Sequence, residues 1–255
     1  MKRFKVSSKL PLLILAIPLA IGASFGIIIC IKFESVHSPT APDQTVSQVA
    51  PAVVVPSFDK SQFSTTDPTS IWVVTNKQHP LNPIDFTPAN LVTTNGATIS
   101  DKAVTDFEAM LTAATAESVT LTPRSSYRSY GTQNTLYNNY VATNGQIATD
   151  TFSARAGFSE HQTGFAVDFV SIYSPQCNFD TCFSTATDGA WLAAYASNYG
   201  FILRYTAEKQ SITGYKAESW HYRYIGRELA AEMKKQSIST LEEFFGITGG
   251  EGYLQ

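Results

Sequence analysis

The most informative segment of the chain is Ser159-Glu-His-Gln-Thr-Gly-Phe-Ala-Val-Asp168. It contains a histidine, a turn at Gly164 and then an apolar run over 165–169 that alternates like a strand. Asp168 lies between two apolar residues, whose side chains point to the opposite face of such a strand. A carboxylate on a core strand costs free energy unless it is paired or bound to a metal. The segment therefore predicts a core strand that carries a functional acidic group.

Four further segments have the pattern of short strands, and four have the pattern of helices. The predicted strands are 71–74, 119–122, 201–205 and 220–224, and the predicted helices are 100–117, 132–143, 188–199 and 226–235. Ser100 is a suitable N-cap for the first helix. Because the helices come early, the strands come late and no regular βαβ alternation occurs, the pattern favours an α+β fold with a small antiparallel sheet flanked by helices.

Two histidines and an aspartate have the composition of a metal site. His161 precedes the turn, Asp168 follows it, and His221 lies on a distant predicted strand. Catalytic zinc usually takes three protein ligands and keeps a fourth position open. Glu218, three residues before His221, is near enough to act as a general base without being a ligand. The residues alone also permit a histidine satisfied within the core, or a closed structural zinc site.

Composition limits the classes of function. The 255 residues are 44% hydrophobic and 12% aromatic, which suits a folded domain, and the formal net charge is −3. Because there is no basic excess, we expect no nucleic-acid partner. Any site that needs imidazole must draw on four histidines, His37, His79, His161 and His221.

The N-terminal region predicts a membrane anchor. Residues 10–31 carry no charge and are long enough to cross a hydrocarbon core of about 30 Å. Four basic residues precede this run, so the positive-inside rule places the N-terminus in the cytoplasm. We therefore expect a cytoplasmic tail over 1–9, a single transmembrane helix over 10–32, an extracytoplasmic linker over 33–69 and a folded domain over 70–255. The alternative is a cleaved signal peptide.

The chain has three cysteines, two of which are close together in a loop-like stretch. In an oxidising compartment Cys177 and Cys182 could close a small disulfide. Two free thiols or a pair of metal ligands are the alternatives.

Taken together, four segments of the chain resemble the VanY-type D-alanyl-D-alanine carboxypeptidases, part of a wider zinc-peptidase group that includes lysostaphin-like endopeptidases. Residues 159–168 match the SxHxxGxAxD signature of that family, and Glu-Ser-Trp-His-Tyr-Arg-Tyr over 218–224 resembles its second element. Residues 126–133 resemble its SxYRS…Q element, and 73–81 resemble its entry segment. The four segments occur in the order that the family has.

The resemblance implies roles for individual residues. It implies that His161, Asp168 and His221 bind Zn²⁺ and that Glu218 is the catalytic base. It also implies that Arg128 holds the terminal carboxylate of the substrate, for which a planar guanidinium is suited. The further positions that it assigns to the substrate pocket are Ser126, Gln133, Ser159 and Trp220.

The expected function is hydrolysis of the C-terminal residue of peptidoglycan stem peptides by a zinc-dependent D-alanyl-D-alanine carboxypeptidase. The alternatives are an L,D-carboxypeptidase that acts on tetrapeptide stems, a peptidoglycan endopeptidase, and a non-catalytic zinc-containing wall-binding module. The expected location is the cell membrane, with the catalytic domain outside. Stem peptides and the membrane are the expected partners, and no protein partner is predicted.

Overall fold

The computed structural model describes residues 57–254. The strands in this range are β1 (Leu91–Thr94), β2 (Ala97–Ser100), β3 (Thr122–Ser125), β4 (Ala166–Val170), β5 (Phe201–Tyr205) and β6 (Glu218–Tyr224). The helices are α1 (Asp101–Ala116), α2 (Tyr130–Asn144), α3 (Gln146–Thr149), α4 (Thr187–Tyr195), α5 (Gln210–Thr213), α6 (Arg227–Gln236) and α7 (Leu241–Phe245). Short 3₁₀-helical turns include Glu160–Thr163 and Ala196–Tyr199.

The central sheet has four strands in the order β3-β4-β6-β5, and each neighbouring pair is antiparallel. The register of β4 and β6, the two middle strands, pairs Asp168 directly with His221. Opposite residues of an antiparallel pair have Cβ atoms about 5 Å apart, so these two side chains share one face of the sheet. The prediction of an α+β fold with a small antiparallel sheet is confirmed.

The main hydrophobic core covers the other face of this sheet. α1 begins after its predicted cap, Ser100, and buries Phe107 completely. Phe107 packs in one cluster with Val167 and Phe169, the neighbours of Asp168 in β4. One face of β4 therefore anchors the fold, while the opposite face presents Asp168.

A hairpin that the sequence analysis did not predict precedes α1. β1 and β2 are joined by Asn95 and Gly96, whose φ angles are 46° and 81°. A two-residue loop with positive φ at both positions is the type I′ turn that Asn-Gly favours. The dipeptide was therefore an available signal for this hairpin.

The predicted strand over 71–74 is wrong. Trp72 and Val73 are buried, which explains the apolar run, but the segment joins no strand ladder. The backbone carbonyls of Ile71 and Val73 instead accept hydrogen bonds from the Arg223 guanidinium at 3.1 and 2.9 Å. A side chain thus satisfies backbone groups that a neighbouring strand would otherwise pair.

The predicted strand over 119–122 is displaced toward the C-terminus, because β3 shares only Thr122 with it. Val119 and Leu121 are buried in the main core but have no strand partner. Pairing with β4 starts where Thr122 meets Val170. The other predicted strands and helices are confirmed to within about two residues at their ends, where the 3₁₀ turn Ala196–Tyr199 completes the helix predicted over 188–199. The short helices α3, α5 and α7 were not predicted.

The predicted cytoplasmic tail, the transmembrane helix and most of the linker lie outside the described residues. Residues 57–69, which the sequence analysis assigned to the linker, pack on the domain. The centroid of the Phe58 ring lies 5.6 Å from the ring centroid of Trp72 and 5.7 Å from that of Phe244. Among residues 57–254, no helix has the length and apolar character needed to cross a membrane.

Cys177 and Cys182 form a disulfide, so that prediction is confirmed. The disulfide closes a short loop that carries Phe179. The Phe179 ring lies edge-on to Trp220 of β6, with 5.9 Å between the ring centroids. The loop therefore packs against β6 at the residue that precedes His221.

Candidate active site

The three predicted metal ligands come together on the polar face of the central sheet. His161 lies in the 3₁₀ turn before β4, Asp168 in β4 and His221 in β6. His161 Nε2 is 3.2 Å from Asp168 Oδ2, and His221 Nδ1 is 2.9 Å from Asp168 Oδ1. Each residue offers one donor atom, these atoms lie within 4.8 Å of one another, and all three residues are buried. Two imidazole nitrogens and one carboxylate oxygen form a donor set suited to zinc.

Gly164 makes the short connection between the first two ligands possible. Its φ of 76° is left-handed, and a Cβ built there would lie 3.0 Å from the backbone nitrogen of Ser100. That nitrogen donates a hydrogen bond of 2.9 Å to the Gly164 carbonyl. A side chain would be strained by the φ angle and crowded by β2, so glycine is required in the turn.

The charges around the triad favour a cation. Carboxylates of Asp168, Glu160 and Glu218 lie 2.9, 3.1 and 3.8 Å from ring nitrogens of His221. Burial opposes a charge on His221, yet its hydrogen bonds to Asp168 and Glu160 raise its pKa to about 9. Burial lowers the pKa of His161, which keeps that imidazole neutral. Asp168, which lies between the neutral His161 ring and the His221 ring, supplies a carboxylate that a divalent cation could bind.

Glu218 lies at the start of β6, beside the triad and open to the pocket. Its Oε2 is 3.8 Å from His221 Nδ1, and its side chain is 16% exposed. Burial raises the pKa of Glu218 to about 8, although the charges of His221 and Arg128 oppose this shift. A carboxyl group with a pKa near neutrality can both accept and return a proton under ordinary conditions.

Arg128, which follows β3, faces the same space. Its backbone nitrogen donates to the carbonyl of His161 at 3.1 Å, which ties it to the triad. Its Nε is buried and has no hydrogen-bond partner among the described residues. Burial lowers the pKa of Arg128, and the nearby Asp168 and Glu218 carboxylates oppose this shift. Buried N–H groups are nearly always paired, so an unpaired one at a cavity wall indicates a place for a ligand.

The other predicted pocket residues occupy different positions. Gln133 donates to the Ala154 carbonyl at 2.6 Å and leaves its Oε1 without a partner in the described part of the chain. Ser159 and Trp220 line the pocket. The structure does not place Ser126 there, because its hydroxyl accepts a hydrogen bond from the Thr98 backbone nitrogen at 2.8 Å.

The pocket that contains the triad has a volume of about 550 Å³. That size suits a short peptide or a small-molecule ligand. Six of the side chains that line the pocket are aromatic. The aromatic side chains along the pocket are Tyr140, Phe152, Phe179, Tyr205, Tyr215 and Trp220.

Glu160 was not among the predicted site residues, although it lies next to His161 in the signature and its side chain is completely enclosed. Its Oε2 is 3.1 Å from His221 Nε2, and its Oε1 accepts hydrogen bonds from Arg204 at 2.8 Å and Arg223 at 3.0 Å. A signal existed in the sequence. Each arginine occurs between apolar or aromatic residues of a core strand, in Leu-Arg-Tyr and Tyr-Arg-Tyr, where a charge requires a buried partner.

Comparisons with known proteins agree with this site. The sequence profile of the family described as VanY, D-alanyl-D-alanine carboxypeptidase, matches residues 96–227. YodJ of Bacillus subtilis (strain 168), whose name marks it as a provisional carboxypeptidase, is 35% identical over an alignment of 189 residues that covers 70% of this chain and 68% of YodJ.

Two solved structures are also similar. The LD-carboxypeptidase LdcB, a structure described as revealing peptidoglycan recognition, has a TM-score of 0.64 and 34% identity, and the match covers 71% of this chain and 88% of LdcB. The vancomycin-resistance D,D-pentapeptidase VanY of a VanB-type cassette, a mutant in complex with Zn(II), has a TM-score of 0.58 and 30% identity, with coverage of 69% and 98%.

The matched profile spans more than half of the chain and includes the triad, Glu218 and Arg128. The chain therefore belongs to the VanY family of carboxypeptidases.

Proposed function

We propose that this protein is a zinc-dependent carboxypeptidase that removes the C-terminal residue from peptidoglycan stem peptides, with D-alanyl-D-alanine ends as its first candidate substrate. The observation that carries the proposal is the buried Nε of Arg128, which has no hydrogen-bond partner within residues 57–254 and belongs to a side chain that lines the same pocket as Glu218 and the His-Asp-His triad. An endopeptidase has no need of a cation at that position, whereas a carboxypeptidase must bind a free C-terminal carboxylate.

The proposal assigns zinc to His161 Nε2, one Asp168 oxygen and His221 Nδ1. The donor set, its burial and the surrounding negative charge support this assignment. A bound zinc ion would supply Lewis acidity, which polarises the scissile carbonyl and makes water a better nucleophile.

Glu218 has the position and proton affinity of a general base. In the proposed reaction it takes a proton from the attacking water as the water oxygen bonds to the carbonyl carbon. It then gives the proton to the leaving amine as the C–N bond breaks. The pKa of about 8 is consistent with both transfers, because neither protonation state is strongly disfavoured near neutral pH.

Arg128 would bind the terminal carboxylate through charge-assisted hydrogen bonds. Gln133, whose Oε1 also lacks a partner in the described structure, could accept an N–H of the peptide. Together these side chains would fix the last residue of the substrate with its peptide bond toward the triad. Their fixed spacing from the triad would limit cleavage to the last bond.

An L,D-carboxypeptidase is a second candidate. The similarity to LdcB favours it, since LdcB is described as an LD-carboxypeptidase and has the higher TM-score of the two structures. Both reactions need the metal, the base and the carboxylate clamp. They differ in the configuration of the penultimate residue, which the pocket wall must recognise.

The test is to incubate the full-length chain and zinc with synthetic pentapeptide and tetrapeptide stems and to measure product masses. Loss of one D-alanine from the pentapeptide alone supports D,D-carboxypeptidase activity, and loss from the tetrapeptide supports L,D-carboxypeptidase activity. No cleavage of either peptide, with zinc demonstrably bound, would contradict the proposal and favour an endopeptidase or a wall-binding module.

We further propose, from the sequence alone, that residues 10–32 anchor the protein in the cell membrane with the domain outside. The uncharged run over 10–31 and the basic residues before it support this proposal. Separation of membrane and soluble fractions, followed by protease treatment of intact cells, would test it. A soluble protein, or one protected from external protease, would contradict it.

A further inference from the structure

The proposed function assigns no role to Glu160, the most enclosed carboxylate near the triad. Its side chain is inaccessible to solvent, and its Oε2 lies 3.1 Å from Nε2 of His221, the ring nitrogen that faces away from the other ligands. Because a buried ionised group is costly, its presence here needs an explanation.

The tautomer of His221 supplies that explanation. The nitrogen that faces Asp168 is Nδ1, at 2.9 Å, and a nitrogen that binds a metal cannot carry a proton. A neutral imidazole has one N–H, which must then be on Nε2. An ionised carboxylate only accepts hydrogen bonds, so Glu160 favours the tautomer that leaves Nδ1 free.

The two histidines of the triad are oriented by different acceptors. His161 Nδ1 lies 2.7 Å from the backbone carbonyl of Ser126, an acceptor that the fold itself supplies. His221 instead depends on a side chain. Carboxylate partners of this kind set the ring orientation and increase the basicity of a metal-binding histidine.

Two arginines hold Glu160 in position. Arg204 of β5 and Arg223 of β6 both donate to its Oε1, at 2.8 and 3.0 Å, which leaves Oε2 directed at His221. Arg204 also makes two hydrogen bonds with Glu242 of α7, at 2.7 and 2.9 Å. The two arginines and two glutamates balance in charge, and all four are buried.

We propose that Glu160 is a positioning residue, which fixes the tautomer and orientation of His221 for metal binding. The proposal rests on the proposed function in one respect, that the triad binds zinc. In the proposed arrangement, Glu160 contacts neither the metal nor the substrate. It acts only through the imidazole of His221.

Glu242 provides a matched control. Like Glu160 it is a buried carboxylate that pairs with Arg204, but its other partner is the Asn76 amide, at 3.0 Å, rather than a histidine. Replacing either glutamate with glutamine leaves Arg204 with one fewer negative partner. Only the substitution of Glu160 removes the charged acceptor from His221.

The experiment measures zinc affinity, without substrate, in the full-length chain and its Glu160→Gln and Glu242→Gln variants. Competition with a chromophoric chelator gives the dissociation constant, at a temperature where circular dichroism shows all three proteins folded. We expect zinc to bind about 10–100-fold more weakly to Glu160→Gln and unchanged to Glu242→Gln. Equal losses in both variants, or no loss in Glu160→Gln, would overturn the proposal.

A second measurement applies even if Glu160→Gln does not fold. Nitrogen-15 NMR of the zinc-loaded parent distinguishes the two tautomers of each histidine. Because the chain has four histidines, variants of His37 and His79 simplify the assignment. We expect the proton of His221 on Nε2, and a proton on Nδ1 would overturn the proposal. If the parent binds zinc and Glu160→Gln binds it equally well, this inference alone is overturned. If the parent binds no zinc, the proposed function is overturned as well.

Discussion

The metal triad has two sides that differ in how their polar groups are satisfied. The pocket side consists of Arg128, Gln133 and Glu218, and two of these side chains have a buried atom without a partner in the described structure. The buried side consists of Glu160, Arg204, Arg223 and Glu242, where every charged group is hydrogen-bonded to another group.

This difference indicates that the pocket side binds a ligand, whereas the buried side stabilises the fold. Buried polar groups that lack partners raise the free energy of the folded protein, and a ligand that pairs with them recovers that loss. Fully paired groups gain nothing from a ligand and instead hold the fold in one arrangement. The pocket side should therefore respond to substitution in catalysis and binding, and the buried side in stability and metal affinity.

The largest expected effect on the pocket side follows Glu218→Gln. The amide is nearly the same size but cannot take a proton, so kcat should fall about 10²–10⁴-fold. Zinc affinity and the thermal unfolding temperature should match those of the parent, because Glu218 is not a proposed ligand. Steady-state kinetics on stem peptides measure kcat, chelator competition measures zinc affinity, and thermal denaturation measures the unfolding temperature. Retained kcat would mean that another group moves the proton.

On the buried side, Glu242→Gln should act on stability. Arg204 keeps Glu160 as a partner, but Arg204 and Arg223 then share that single carboxylate, so the buried cluster carries one uncompensated positive charge at a cost on the order of 3 kcal/mol. Urea unfolding of the zinc-loaded protein measures this change. At a temperature where the variant is folded, kcat and KM should equal those of the parent. An altered kcat would show that the two sides are coupled through α7.

Arg128→Lys sharpens the description of the pocket side. Lysine keeps the charge but cannot make a bidentate contact with a carboxylate. The loss of one charge-assisted hydrogen bond corresponds to about 1.5–3 kcal/mol, or roughly 10–150-fold in kcat/KM. Gln133→Ala is the comparison, since it removes an uncharged partner from the same wall. A variant with the kinetics of the parent would remove Arg128 from the site.

The smallest expected effect concerns the disulfide loop. Reducing Cys177–Cys182, or replacing both cysteines by serine, should lower stability by about 2 kcal/mol or less, because the closed loop is short. Phe179 would lose its fixed place beside Trp220, so KM should rise while kcat stays the same. Phe179→Ala with the disulfide intact should raise KM similarly. An unchanged KM in both the disulfide variant and Phe179→Ala would show that the disulfide loop does not contact the substrate.

Much of the site could be predicted from the sequence, but more of the pocket side than of the buried side. His161, Asp168, His221 and Glu218 occur in short patterns whose residue types fit one chemistry, whereas Arg128 was assigned through the family resemblance. The structure brings all five together. The buried side depends on contacts between positions far apart in the chain. Glu160 and Arg204 are 44 residues apart, and spacing alone gives no reason to pair them.

Local structure was mispredicted where residues are buried but do not pair with a strand. The apolar run over 71–74 and the alternation over 119–122 correctly indicated burial, but the partner that would make a strand is set by the rest of the fold. Ser126 shows the same limit for a site residue. Its neighbour Ser125 lines the pocket, while Ser126 holds the Thr98 backbone and its carbonyl faces His161.

The most direct measurement compares two versions of each stem peptide, one with a free C-terminal carboxylate and one with a C-terminal amide, in the presence of the full-length chain and zinc. We expect the free acid to lose one residue, the amide to be cleaved far more slowly, and Arg128→Ala to remove this preference. Equal cleavage of acid and amide, or cleavage at an internal bond, would contradict this expectation.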